Sequence, residues 1–174
     1  MTLSVHQSSV GVFEVLLKAF LGILDKAVVH ADAKKFDPGV YMTLRLRPDM
    51  LPFGRQVQIF CDHAKNASFR IAGVEAPRFE DNETSLVELK ARVQKTLDHI
   101  ATLAHDALEA GATREIVFQV GPNKMKMRGD NYLLHFALPN FYFHLTTAYD
   151  LLREAGVDIG KRDYLGAVPG IAPA

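Results

Sequence analysis

The sequence predicts an all-α protein, a four-helix bundle with a small β-hairpin inserted before the last helix. Three observations predict it. Four long stretches repeat apolar residues at three- and four-residue steps, the spacing of one helical face. One short stretch alternates with period two around Gly121-Pro122-Asn123, the pattern of two strands and a turn. The chain has 174 residues, one domain's length, and can bury a full core without staples.

The elements follow in order. Ser4 and Gln7 have the spacing of a capping box. Behind them Val10, Phe13, Leu17, Phe20, Leu24 and Val28 form the stripe of a first helix that ends near Ala33. Lys34 to Asp49 is a connector with a short helix at Val40 to Leu44. Asp49 is the expected N-cap of the second helix, with Pro52 in its first turn, where a missing N–H does no harm. Its stripe is Phe53, Val57, Phe60, Ala64, Ala67 and Ile71, and Gly73 ends it. Glu75 to Asn82 reads as loop. Ser85 and Glu88 make a second capping box, ahead of Leu86, Leu89, Val93, Leu97, Ile100 and Ala104, with Gly111 closing the third region.

The period then changes. Ile116, Phe118 and Val120 form one face of a first strand, and Met125 and Met127 alternate with Lys124, Lys126 and Arg128 in a second. Asp130 to Ala155 is the fourth helical region, kinked or restarted at Pro139, with Gly156 just past its end. The long connector after the first helix argues against a plain up-down-up-down bundle. One domain over residues 1–166 and a flexible tail over 167–174 complete the expected organisation.

Composition narrows the function. Lys+Arg and Asp+Glu number 20 each, so bulk charge offers no basis for holding nucleic acid or an anionic membrane. The segment Met1 to Val12 has no Lys or Arg ahead of its apolar part, unlike a secretory signal. No uncharged apolar run is long enough to span a bilayer. A single cysteine, Cys61, excludes an internal disulfide and fits a reducing compartment, so a cytoplasmic protein is expected. On a helix Cys61 reads as a small core residue rather than a nucleophile. Phosphate-binding glycine loops, nucleophile elbows and H-E-x-x-H are all absent from the sequence.

Histidines carry what chemistry there is. At about 100° per residue, Leu151, Ala155, Ala148, Phe141 and Asn140 lie on the side of His144. His144 is therefore expected to point into the bundle, and His135 away from it. On the second helix Ile59, Phe60 and Ala67 share the side of His63, and so do Gln56 and Arg70. His63 is placed at the edge of the core stripe. His6, His30, His99 and His105 are expected on the surface near helix ends. Tyr142, Tyr149 and His135 make a candidate partner surface, and Lys124, Lys126 and Arg128 read as a solvated edge strand.

From Asn140 through His144 to Arg153 and Gly156, the last helix resembles that of the DinB/YfiT-like superfamily. Arg47-Pro-Asp-Met-Leu-Pro52, Arg55-Gln-Val-Gln58, Leu133 to His144 and Gly160-Lys-Arg-Asp-Tyr-Leu-Gly166 resemble a bacterial branch of it known only as a domain of unknown function. The resemblance implies a DinB-like four-helix bundle that commonly forms homodimers. It also implies a divalent metal, zinc or nickel, held by three histidines, and relatives that include thiol-dependent transferases. Carried over, the metal positions are His63, His144 and Asn140. The last replaces a histidine, and an amide oxygen is a poor ligand for either metal. Two functions follow as expectations. One is a metal-dependent enzyme with a degenerate histidine site between the second and last helices. The other is a metal-free small-ligand binder, or a dimeric scaffold that keeps a retired site. Arg55, Gln56 and Arg70 are the expected ligand contacts.

Overall fold

The structure is a computed structural model and describes residues 4–172. The start of the Met1 to Val12 segment and the end of the expected tail, Pro173 and Ala174, lie outside the described residues. The long helices are α1 (Val12–Lys34), α2 (Phe53–Ala72), α3 (Leu86–Ile100) and α6 (Leu138–Glu154), with short helices α4 (His105–Glu109), α5 (Gly129–Tyr132) and α7 (Lys161–Leu165). Strands β1 (Glu115–Val120) and β2 (Asn123–Arg128) pair antiparallel, with Val120 opposite Asn123.

The expected stripes form the core. Phe13, Leu17, Phe20, Phe53, Val57, Phe60, Leu89, Val93, Phe141 and Leu145 are all buried. α2 is the central element and packs against α3 on one side and α6 on the other, while α1 packs on α3. α1 meets α2 and α6 across the core through aromatic rings. Phe20 meets Phe60 edge-on at 4.9 Å, and Phe13 meets Phe141 at 4.8 Å. α7 fills the seam between α1 and α6: Tyr164 packs on Tyr149 and shares a hydrogen bond with Thr146, and Lys26 pairs with Asp163. Tyr149 is therefore half-covered and does not join Tyr142 and His135 in one open face.

Several boundaries differ from expectation. Ser4 does accept from the Gln7 amide, but Glu109, not Gln7, supplies the reciprocal carboxylate, taking the amides of Val5 and His6. These donors hold Glu109 down to about 2, with the Ser4 hydroxyl as the largest cause. α1 is preceded by a π-helical turn, Gln7–Gly11, and stops on Lys35 in the left-handed region without a glycine. The connector helix is a 3-10 segment, Pro38–Thr43, capped by Asp37. The N-cap of α2 is Pro52, not Asp49, which lies in a turn three residues too early. His30 is not a surface residue: it is half-buried and hydrogen-bonded to the buried Tyr41 hydroxyl at 2.6 Å. The third region breaks after Ile100, and exposed Ala104 is the N-cap of α4 rather than part of a stripe.

The second capping box is intact: Ser85 accepts from the Glu88 amide while Glu88 accepts from the Ser85 amide. Ser85→Ala should destabilise the fold by about 1 kcal/mol, the usual cost of losing such a cap. The urea midpoint should fall while the slope of the transition stays constant.

The hairpin turn is the two residues Gly121-Pro122, with Gly121 at a φ of 55°. A positive φ at the first central position is what the strand twist demands and what proline cannot supply. Ile116 and Phe118 are buried, whereas β2 is solvated. The fourth region is not one regular helix. A π-helical turn, Leu133–Ala137, separates α5 from α6, and the Leu138 amide reaches back five residues to Leu133. Pro139 follows directly, lacking an N–H and carrying a ring that would strike the carbonyl four residues back in a regular helix. The widened turn absorbs both demands.

Candidate functional site

α2 carries Gln56, His63 and Arg70 at seven-residue steps, two turns apart, so all three lie along one line of the helix. That line faces α6, where Asn140 and His144 sit one turn apart. The close α2–α6 packing brings the two histidines together, their rings nearly parallel at 14° with centroids 5.8 Å apart. Both are half-buried, so His144 stands at the margin of the core rather than inside it.

The surroundings keep both rings neutral. Burial is the largest cause for His63, with His144 and the Arg70 guanidinium adding to it, and its pKa falls to about 4. Burial lowers His144 as well. Neutral imidazole is the form that accepts a proton or a hydrogen bond.

Around the pair the structure separates the expected contacts. Gln56 is buried and hydrogen-bonds the Nδ1 of His144 at 2.7 Å. Arg70 donates to the Tyr132 hydroxyl at 2.8 Å, beside His63. Arg55 is turned elsewhere: it donates to Gln58 and to Asp81 in the loop ahead of α3. Asn140 does not offer itself to the histidines through its amide nitrogen, which donates to the Phe136 carbonyl of its own helix at 2.7 Å.

Sequence reasoning missed the aromatic wall. Phe136 lies against His63 at 6.1 Å, and Phe118 of β1 packs on both Phe136 and Tyr132. The hairpin thus supports the site from behind. The signal was present as Tyr132 and Phe136 at a four-residue step, but nothing local says that Phe118 meets them.

A catalytic zinc takes three protein ligands. Here there are two imidazoles and the amide of Asn140, whose nitrogen donates to its own backbone and whose oxygen is a poor ligand for zinc or nickel. Among the described residues no three His, Cys, Asp or Glu side chains converge as a metal-binding group. The residues present do not fit a resident zinc or nickel ion. Two cavities lie apart from the pair. One of about 500 Å³ opens beside Phe79, Arg92 and Lys95, and one of about 560 Å³ lies between Val12, Val15, Tyr142 and Leu165.

A family model described as a domain of unknown function, DUF1993, matches residues 5–165. The chain belongs to the DUF1993 family. The crystal structure of a DinB family member from Shewanella denitrificans is similar to this DUF1993 chain at 38% identity and a TM-score of 0.89, covering 97% of this chain and 95% of that one. The order of helices and the inserted hairpin are thus those of a DinB-type bundle. No curated protein matches the DUF1993 chain. No helix among its described residues is long and apolar enough to cross a membrane.

Proposed function

We propose that this protein binds a small ligand at the His63–His144 pair without a resident metal, and that one imidazole accepts the ligand's proton or hydrogen bond. The supporting observation is the pair itself: two stacked imidazoles, both held neutral, beside the Arg70 guanidinium. A ligand that carries an O–H, N–H or S–H donor and some negative charge suits such a site: the donor gives its hydrogen bond to a neutral ring nitrogen, and the charge has a fixed cation nearby. The metal-dependent alternative, a DinB-like enzyme with zinc or nickel on His63, His144 and Asn140, is weakened because an amide oxygen stands where a third imidazole would be.

A ligand-observed NMR screen of small carboxylic acids, alcohols and thiols at pH 7 tests the reading. Hits should disappear in both His63→Ala and His144→Ala while the protein remains folded. Hits that persist in both variants, or a screen with none, would remove the pair as the binding site.

We further propose a cytoplasmic homodimer. Cys61 is free and buried, as suits a reducing compartment. Leu134 and Phe143, 53% and 57% exposed, offer apolar surface on the last helical region for a second copy. Sedimentation equilibrium at micromolar concentration should give twice the chain mass.

A further inference from the structure

We infer that Gln56 is a positioning residue that fixes His144 as its Nδ1–H tautomer and so presents the bare Nε2 of His144 as the acceptor of the site. The inference rests on the ligand-binding reading above and assigns the reacting atom within it.

The Gln56 amide nitrogen donates to the Leu51 carbonyl at 3.0 Å. A backbone carbonyl can only accept, so the amide group cannot flip without opposing two oxygens. Its Oε1 must then face His144, where it lies 2.7 Å from Nδ1. An amide oxygen also can only accept. Nδ1 must therefore carry the hydrogen, and in the neutral ring Nε2 is left with its lone pair. Gln56 is 1% exposed, so no water competes for its oxygen.

Nε2 is also reachable. It has no hydrogen-bond partner among the described residues. The one side-chain nitrogen or oxygen there that is both buried and unpartnered is the Nε of Arg92. The Nε2 of His144 is thus not sealed inside the core. His63 has no such partner to fix its ring, so the two histidines are not equivalent. His144 is the oriented acceptor and His63 the adaptable one. A ligand for this site brings an O–H, N–H or S–H group to His144.

The experiment is long-range proton–nitrogen correlation NMR on histidine-labelled protein at pH 7. In the native chain His144 should appear as the Nδ1–H tautomer. Gln56→Met keeps the shape and removes the acceptor, so His144 should shift toward the Nε2–H form that free imidazole favours. Gln56→Glu retains an acceptor oxygen while losing the bond to Leu51, so it should hold the Nδ1–H form. Nε2–H in the native chain would overturn the inference without any variant. So would an unchanged Nδ1–H in a folded Gln56→Met. A screen with no hits, or hits that persist in both alanine variants, would overturn the ligand reading alone, because the tautomer is read in the absence of ligand.

Discussion

Arg92→Ala should lower the unfolding free energy by about 3–5 kcal/mol, the range for breaking a buried ion network from one side. The guanidinium side chain is 1% exposed and bonds Asp62, Asp81 and Glu83, with a further bond to the Glu80 carbonyl. Burial alone would disfavour its charge, yet Glu83 and Asp62 outweigh that and raise its pKa. Three carboxylates thus converge on one cation; Asp62 also pairs with Lys65 and Asp81 with Arg55, whereas Glu83 has no second cation among the described residues. Removing it leaves Glu83, 11% exposed, without its principal counter-charge. The loop from Glu75 to Asn82 would loosen with it. Phe79 of that loop lies between the ammonium groups of Lys65 and Lys95, each 4.3 Å from its ring. Arg92→Lys keeps the charge but not the planar fork that spans several carboxylates, so it should recover only part of the loss. Guanidinium unfolding at pH 7 measures both variants. A loss under 1 kcal/mol for Arg92→Ala would show that the network contributes little.

Acid should weaken the fold in a window set by the histidine pair. Unfolded, His63 takes a proton near pH 6.5, and folded only near 4. The unfolded chain therefore binds the proton first. Stability is complete above about pH 6.5 and declines as pH falls toward 4, by on the order of 3 kcal/mol for this group. His144 adds to the same decline. Glu109 acts in a lower window, since its contribution is lost only as pH falls from about 4.5 to about 2. The unfolding free energy measured from pH 7 to pH 4 should slope downward in the native protein. In His63→Gln the slope should flatten, while the decline below pH 4.5 persists. An equal slope in both proteins would remove His63 as its source.

What the sequence revealed depended on distance along the chain. The apolar stripes, the Ser85–Glu88 box, Gly73, the Gly121 turn and Gly156 are local patterns, and local geometry dictates them. Glu109 reaching Ser4 is a contact across 105 residues, and no spacing rule announces it. Gln7 was the natural partner by spacing and lost to a carboxylate brought in by the fold. Asp49 failed as a cap for the opposite reason: the chain turns after it, and Pro52, with no N–H to satisfy, opens the helix itself. The π-helical turns have no signature beyond Pro139 behind one of them.

The site divides in the same way. Helical angles suffice to set His63 and His144 on facing stripes. They cannot give the register between α2 and α6, which decides that Gln56 meets His144. Nor can they give rotamers, which turn Asn140 onto Phe136 and Arg55 onto Asp81.

Elemental analysis by plasma mass spectrometry tests the central claim most directly. The protein is purified without an affinity tag, kept from chelators and metal resins, offered zinc and nickel, and compared with His144→Ala after dialysis. The metal-free histidine pair predicts far less than one ion per chain in both proteins. Near-stoichiometric zinc or nickel in the native protein, absent from His144→Ala, would contradict it and make the pair a metal centre.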